Sequence, residues 1–443
     1  MATRNRVIYQ SEAVYCSQDV VFSGVQTGYR DNADLDRVQS ANYSFNISRT
    51  DVNQFGQLGA IDRIITESPS VSFDSSYLLA NFGNEYKLGF FVTQSGDIGP
   101  FKSCITNLVD STSNAYQKNY YILNAKEGKD ADETSYIPTS TTSGNYESLI
   151  GIGNAGITSY SVEAAVGGFP TVSFSAEGLN MNFYGGNGGT GLNCGTFAST
   201  NGTTNPIGPN NKRRTPFYIS GKNPAINPID GKRYETTTRL PSPTGSVSTT
   251  AAGSVSVLRP GDLRLFISRQ PTLGGPDAVA NAALTTNMGK PDYAGADIAD
   301  AHIQSFNLGF DLSRSPIEQL GSKFAYARLV DFPVTVSLGI DAVVSDLTTG
   351  SLAEILDCDE KFDARIQLGA PDCGVNNQDA EERQRHAAAN YIVKGIKLDS
   401  QSFSLGMGDN KTVSLSFSTQ IGGPEQSGHG VFMSGYYLAD TID

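Results

Sequence analysis

Glycine-rich segments are the first places where this chain could bind a phosphate or a cofactor. Residues 151–156 read Gly-Ile-Gly-Asn-Ala-Gly, which has the spacing of a dinucleotide-binding loop. Such a loop needs a helix whose N-terminus faces the pyrophosphate and an acidic residue roughly 20 positions further on. The sequence from Ile157 to Val162 is strand-like instead, so we interpret the glycines as a turn. Residues 185–191 lack the Gly-Lys-Ser/Thr ending of a phosphate loop and are expected to be flexible linker.

The remaining residues give little indication of an acid–base, nucleophilic or metal site. The three histidines, His302, His386 and His429, have no spacing typical of a metal site or a Ser-His-Asp triad. The carboxylates of residues 357–360 are interpreted as a solvated charge cluster. The cysteines are odd in number and widely spaced, which favours reduced thiols; they are Cys16, Cys104, Cys194, Cys358 and Cys373. We therefore predict no catalytic residue, no cofactor and no metal, and we do not expect an enzyme.

The overall charge limits which partners the chain can have. The net charge is −13, although only 17% of the residues are charged. A displayed negative charge repels nucleic acid, so tight nucleic-acid binding is not expected. The basic cluster of residues 212–214 is interpreted as a protein contact or a solubility feature. No apolar run approaches the ~18 residues of a membrane span, and the first residues lack the apolar core of a signal peptide, so a cytoplasmic site of synthesis is expected.

An internal repeat is the strongest feature of the sequence. Residues 39–72 and 304–337, offset by 265 positions, share 12 identities in 34 positions, whereas ordinary composition gives roughly two or three. The retained residues that we single out as structural or assembly candidates are Arg49, Gln54, Gly56, Arg314, Gln319 and Gly321. We expect each arginine to connect the strand end with the turn or with a neighbouring subunit by forked hydrogen bonds, and each glycine to take the positive φ of a tight turn.

The repeat also predicts the kind of element that it contains. Apolar residues alternate with polar ones over residues 41–48 and 306–313, which is typical of a strand with one dry face and one wet face. Residues 161–175 and 402–416 correspond at an offset of 241 and predict two strands around a glycine-containing turn. We expect a mainly β protein made of two tandem copies of an antiparallel β-sandwich or barrel domain, each with a minor helix.

The predicted boundaries follow from the repeat and from composition. The first β-domain with its N-terminal arm is expected at 1–185, a Gly-, Pro- and Asn-rich linker or surface insertion at 186–253, and the second β-domain at 254–443. Within copy one, residues 87–93 and 116–123 are expected to form a hairpin or an irregular excursion. Within copy two, residues 351–356 and 378–389 are predicted helices, the latter because of its Ala and its i,i+4 charge pairs.

The repeated strand, its Arg-x4-Gln-x-Gly sequence and the closing Thr-Val-Ser-Phe/Leu-Ser strand resemble the tail tube proteins of long-tailed bacteriophages. This resemblance implies a β-sandwich flanked by a helix that assembles into rings of six tube domains, whose inner strands join into one barrel. A duplicated chain would form a pseudo-hexameric homotrimer ring. The resemblance further implies stacked rings, a virion location after assembly in the host bacterial cytoplasm, contacts with other tail proteins, and passage of DNA through the lumen during ejection.

Other functional classes remain open from the sequence alone. A tail terminator, a baseplate hub or a capsid decoration protein could use the same fold. The other tail proteins in contact with a tube would be a terminator, a baseplate and, in a contractile tail, a sheath. A glycan-binding or adhesive β-protein would also be rich in Gly, Ser, Thr and Asn, but it would normally show a carboxylate pair or exposed Trp, and this chain contains no Trp.

Overall fold

The computed structural model shows a mainly β protein with antiparallel sheets. It describes residues 12–17, 32–46, 48–66, 70–94, 102–109, 118–125, 131, 148–178, 180–185, 257–258, 263–269, 301–317, 320, 327–344, 361–369, 387–404, 411–423, 426 and 428–435. The strands of the first half are β1 Glu12–Ser17, β2 Asn32–Asp34, β3 Val38–Asn46, β4 Arg49–Val52, β5 Asp62–Ile65, β6 Ser70–Leu78, β7 Val92–Gln94, β8 Lys118–Asn124, β9 Ser148–Ala165, β10 Thr171–Gly178 and β11 Asn180–Gly185. Its helices are α1 Gly83–Leu88 and α2 Thr106–Val109. The strands of the second half are β12 Leu263–Arg269, β13 Ala301–Asp311, β14 Arg314–Ile317, β15 Ala327–Val330, β16 Val334–Val344, β17 Phe362–Gly369, β18 Ala387–Ser404, β19 Thr412–Ile421 and β20 Gly430–Gly435.

Eight strands from both halves form one continuous sheet, which we call the inner sheet. Its order is β3-β6-β10-β9-β13-β16-β19-β18, and every neighbouring pair is antiparallel. The first four strands come from the first half of the chain and the last four from the second half. The two halves are joined by the pairing of β9 with β13, which we call the internal junction.

The two halves of the inner sheet repeat the same strand registers. Ser40 opposite Ser76 in β3–β6 corresponds, at the offset of 265, to Ser305 opposite Asp341 in β13–β16. Both pairs follow a β-bulge, whose extra residue is Gln39 in one half and Gln304 in the other. The β9–β10 and β18–β19 pairs also share a bulge at equivalent positions, with Thr158 and Asp399 as the extra residues.

A smaller outer sheet covers the inner sheet in each half. In the first half it contains β1, β8, the first part of β9, and β11; in the second half it contains β12, β17, the first part of β18, and β20. Strands β9 and β18 are 18 residues long, which allows each of them to take part in both layers. Strand β2 extends the first outer sheet beside β1, and β7 extends the second beside β20.

The core lies between the two layers, because alternate residues of each inner strand face the outer sheet. The ring of Tyr120 from β8 packs on Phe73 of β6 with 5.0 Å between ring centroids, and Phe174 of β10 lies 5.9 Å from Phe73. Burial of such aromatic side chains supplies a large part of the hydrophobic stabilisation of a two-layer β structure. The opposite face of the inner sheet carries Ser, Asn, Gly and Asp.

Several local expectations are wrong. Residues 151–156 lie within β9, so they form neither a dinucleotide loop nor a turn. Residues 87–93 form the end of α1 and the start of β7 rather than a hairpin with β8, which pairs with β1 and β9 instead. Residues 387–389 begin β18, because pairing with β17 and β20 outweighs the helix propensity of three alanines.

Other expectations fall on residues that the structure does not describe. They are the helix at 351–356, the remainder of the helix at 378–389, and the linker at 186–253. The described residues of the second half contain no helix, and α1 and α2 lie in the first half. The described cysteines, Cys16 and Cys104, are buried reduced thiols. No helix among the described residues is long and apolar enough to cross a membrane.

Candidate assembly interface

Metal-ligating side chains do not cluster within the described part of the chain. No group of three or more His, Cys, Asp or Glu residues there could hold a metal ion. Burial raises the pKa of the Cys16 thiol to about 11 and also raises the pKa of the Cys104 thiol, so both side chains behave as small core residues. The retained residues of the repeat instead gather around the internal junction and the ends of the inner sheet.

The internal junction is a ladder bounded by the two bulges. Ser305 to Asp311 of β13 lie opposite Ala165 to Ser159 of β9. At one end the Val166 N–H donates to the carbonyl of the bulge residue Gln304 over 2.8 Å, and at the other end the Leu312 N–H donates to the carbonyl of the bulge residue Thr158 over 2.6 Å. Bulges end regular pairing and fix the strand register, so this ladder has one defined length and position.

Apolar side chains on the core-facing side of the junction are fully covered. Phe310 is 3% exposed and stacks on Tyr160, with 5.5 Å between ring centroids. Leu308 and Val162, which lie directly opposite each other, are both 0% exposed. Such cross-strand apolar pairs are the unit by which sheets are stabilised, each contributing roughly 0.2–1 kcal/mol.

Arg314 connects the two halves from the start of β14. Its Nε donates to the Ile157 carbonyl over 3.0 Å, its Nη2 to the Leu108 carbonyl over 3.2 Å, and its Nη1 to the Arg328 carbonyl over 3.3 Å. The side chain fits only because residue 156 is glycine: a Cβ there would lie 2.7 Å from Cζ of Arg314. A charged donor fork on three carbonyls is a strong and directional interaction, so this arginine site fixes the second half against the first.

A second retained arginine makes a similar connection. Arg328 of β15 is 4% exposed, and its Nη1 lies 2.6 Å from Oε1 of Glu177 in β10. Its partner in the repeat, Arg63, has a side chain that is 68% exposed and pairs with Asp51 of its own hairpin. Arg49, the partner of Arg314, is likewise exposed. The two arginines of the second half are therefore buried, because the first half covers them. The equivalent arginines of the first half are exposed, because no described part of the chain covers them in the same way.

The same asymmetry holds at the two ends of the inner sheet. Strand β3 ends the sheet on one side, and residues 397–404 of β18 pair only with β19 on the other side within the described chain. We call these two strand margins the open edges. On the core-facing side they carry Tyr43 (37% exposed), Phe45 (52%) and Phe403 (43%). Large apolar side chains exposed along a strand edge mark a surface for pairing with another strand.

The solvent-facing side of the inner sheet is polar across all eight strands, and we call it the polar face. Serine hydroxyls bond across it, as between Ser44 and Ser72 at 2.6 Å and between Ser414 and Asp341 at 2.6 Å. Its exposed carboxylates are Asp74, Glu163, Asp311 and Asp341. Lys397 lies at its margin, opposite Ser418. The polar face therefore presents small polar groups with an excess of negative charge.

Two hairpins leave the inner sheet at one end. Strands β4 and β5 form the first, and its tip carries Phe55 and Leu58, which are fully exposed at 107% and 110%. Strands β14 and β15 form the second, with Leu320 at 100%. At the opposite end of the sheet, the turn between β9 and β10 exposes Val166 at 63% and Phe169 at 58%. Both ends of the molecule therefore display apolar surface.

The remaining retained residues lie in these hairpins. Gly56 has φ +86°, the left-handed conformation that favours glycine in a tight turn. Gln54 donates from Nε2 to Oε1 of Gln57 over 2.9 Å and stabilises the same tip. Gln319 and Gly321 lie outside the described residues. Of the four candidates that the structure describes, Arg314 is thus the one in contact with the other half.

A buried carboxyl group between the halves was missed by the sequence reasoning. Glu85 of α1 is 0% exposed, and its Oε1 accepts hydrogen bonds from Tyr77 Oη at 2.7 Å and from Tyr160 Oη at 3.0 Å. Tyr160 is in turn bonded to Tyr391 of β18 at 2.7 Å. Burial raises the Glu85 pKa to about 7, although the tyrosine hydrogen bonds lower it. Neither the repeat nor any motif contains Glu85, so no sequence signal marked it.

Comparisons with known proteins add little to this geometry. No protein-family model matches the chain, and no curated protein matches it. Among solved structures, a chain from the cryo-EM structure of the anti-feeding prophage baseplate, 6-fold symmetrised, is similar over 40% of this chain and 95% of its own length. The two share 12% sequence identity with a TM-score of 0.25, at which the likeness carries no argument about fold or function.

Proposed function

We propose that the chain is a structural protein of a phage-type virion whose copies join side by side into closed rings, and that these rings stack into a tail tube. The observation that supports this proposal is the pair of open edges. Strand β3 and residues 397–404 of β18 are the counterparts of β13 and β9, which pair with each other inside the chain. An interface between two different edges is heterologous, and it produces a ring when its rotation closes.

The internal junction suggests how many chains such a ring contains. Each chain supplies two four-stranded units that repeat the same registers. Three chains supply six units, which is the trimer in place of a hexamer that the resemblance to duplicated tail tube proteins implies. Ring closure also leaves no edge of the inner sheet exposed, and this reduces the tendency of an open sheet to aggregate.

The polar face would line the lumen of this ring. Its side chains are short, which leaves the channel open, and its exposed carboxylates repel the phosphate backbone of DNA. DNA could then pass without adhering to the wall. The apolar hairpin tips at one end and the exposed turn at the other would form the contacts between successive rings.

Other tail proteins would meet the tube at its two ends and, in a contractile tail, along its outer surface. A terminator, a baseplate hub or a decoration protein is the alternative for the chain itself, since each could form a ring that does not stack. The apolar surfaces at both ends favour the stacking protein. A glycan-binding role has no comparable support, because the 443 residues contain no Trp to stack on a sugar.

Negative-stain electron microscopy of the purified chain over a range of concentrations tests this proposal. We expect rings with an axial hole, and tubes of uniform width at high concentration. Rings that never stack would support the terminator or hub alternative. Dispersed monomers at every concentration would contradict the proposal.

A further inference from the structure

The internal junction provides a template for contact between two copies of the chain. It pairs β13, the counterpart of β3, with β9, the counterpart of β18. Strands β3 and β18 themselves lie at the open edges. Because both bulges recur at equivalent positions, the open edges also have bulge residues, Gln39 and Asp399, which would set the same register.

We propose that β3 of one copy pairs with residues 400–404 of β18 in a second copy of this chain, in the register of the internal junction. This proposal rests on the ring assembly proposed above and specifies its contact. Applying the offsets of 265 and 241 to the internal junction gives the partners directly. The pairs are Asn42 with Ser404, Tyr43 with Phe403, Ser44 with Ser402, Phe45 with Gln401, and Asn46 with Ser400.

The chemistry of these pairs agrees with the two sides of the sheet. Tyr43 and Phe403 take the places of Leu308 and Val162, which are both 0% exposed in the internal junction. Pairing would therefore cover the aromatic side chains that are exposed on the single chain. Asn42, Ser44 and their partners lie on the polar face, where they continue the row of small hydroxyl and amide groups.

The bulges determine why this register is favoured over its neighbours. A slip by one residue turns every side chain to the opposite face and places aromatic groups on the polar face. A slip by two residues leaves each side chain on its own face of the sheet. The ends of the ladder then no longer coincide with the bulge residues, Asp399 on β18 and Gln39 on β3. The carbonyls of the equivalent residues, Thr158 and Gln304, accept the terminal hydrogen bonds of the internal junction, so such a slip loses one of these bonds.

One feature of the internal junction is not repeated at the open edges. Gly156, which makes room for Arg314, corresponds to Lys397 at the offset of 241. The Cβ and the positive charge of Lys397 exclude Arg49 from a site of the same shape. Contact between copies would therefore depend on the strand ladder and its apolar pairs, without the arginine site that fixes the two halves of one chain.

Cysteine cross-linking tests the register. A chain with Ser44→Cys and Ser402→Cys has both thiols on the polar face and directly opposite each other between copies. Directly opposed Cα atoms are about 4.5–5.5 Å apart, within disulfide range, whereas diagonal neighbours are about 7–8 Å apart. The matched control, Ser44→Cys with Ser404→Cys, places the second thiol one diagonal step away on the same face.

We expect the first variant to form intermolecular disulfides about tenfold faster than the control under mild oxidation, in keeping with that difference in reach. On non-reducing gels its products should stop at a closed ring rather than extend without limit. The single-cysteine variants provide the background from the native thiols, and circular dichroism confirms that each variant is folded.

The outcomes separate the register from the proposed function. Rings or tubes in the microscope with no preference for the 44–402 pair would overturn the register and leave the ring assembly standing. Disulfides at 44–402 between copies that form no ring would support the register and overturn the ring. Absence of both particles and cross-links at high protein concentration would contradict both proposals.

Discussion

Identical residues of the repeat have different environments, and Arg314 and Arg49 show this most clearly. Arg314 is 8% exposed and donates to three carbonyls, two of them in the first half of the chain, whereas Arg49 is exposed at the edge of the molecule. The repeat could predict that the arginine is structural, because both copies keep it. It could not predict which copy is buried, since burial depends on which half covers the other.

Replacement of Arg314 should destabilise the single chain, because it leaves buried carbonyls of Ile157, Leu108 and Arg328 without their donor. We expect Arg314→Ala to lower the free energy of unfolding by roughly 2–4 kcal/mol, measured by urea denaturation of dilute protein. Arg49→Ala is the matched control, and it should change this free energy by less than about 0.5 kcal/mol because the side chain is exposed. Equal effects of the two variants would contradict the assignment of Arg314 as the link between the halves.

Glu85 should make the stability of the chain depend on pH. Its pKa is raised from 4.5 to about 7 by burial, so the folded chain binds more protons than the unfolded chain between these values. Stability from this group is therefore fully present below about pH 4.5 and is lost as the pH rises through about 7. The total effect is on the order of 3 kcal/mol.

Comparison with Glu85→Gln isolates this effect from the other titrating groups, which both proteins share. Urea denaturation between pH 4.5 and pH 8 should show the stability of the native chain falling relative to the variant across this range. A difference between the two proteins that stays constant with pH would contradict the titration of Glu85 in the core.

At the scale of elements, alternation predicted the strands well and their connections poorly. Strands β6, β13 and β16 follow from period-two patterns, because each has one face in the core. Strand β3 has the same alternation, but Tyr43 and Phe45 on its core-facing side remain exposed at the open edge. The same patterns say nothing about which edges pair, so the internal junction could not be predicted. The two bulge residues, Gln39 and Gln304, are identical in the two copies of the repeat. A retained glutamine does not by itself indicate a bulge, however.

The apolar side chains of the open edge should control assembly rather than folding. We expect Tyr43→Lys combined with Phe45→Lys to abolish ring formation, because it places charges where apolar groups would be covered and because lysine is the residue that natural sheets use to block an edge. Analytical ultracentrifugation measures the assembly. The thermal unfolding temperature of the dilute chain should change little.

Asn42→Lys provides the matched control for this edge. Combined with Ser44→Lys, it introduces the same two charges at neighbouring residues, but on the polar face of β3. Assembly should persist in this variant. Loss of assembly to the same extent in both variants would indicate a general effect of charge and would contradict the role given to the apolar side of the edge.

The described part of the molecule has different chemistry in each direction: open strand edges at its two sides, apolar tips at its two ends, and the polar face on one side of the inner sheet. If the ends join successive rings, replacement of Phe55 and Leu58 by serine should shorten the tubes and leave the rings intact. Electron micrographs give both the length distribution and the ring count. Asn53→Ser changes an exposed polar residue of the same hairpin without removing apolar surface and should leave tube length unchanged.

The central claim is that the open edges of one chain are completed by those of other copies. A cryo-EM reconstruction of the assembled particle tests it most directly, because strand neighbours are visible at side-chain resolution. We predict a closed ring in which β3 of each chain continues the sheet from β18 of the next and the polar face lines the hole. A particle in which β3 and β18 remain unpaired, with the chains held together by other surfaces, would contradict it.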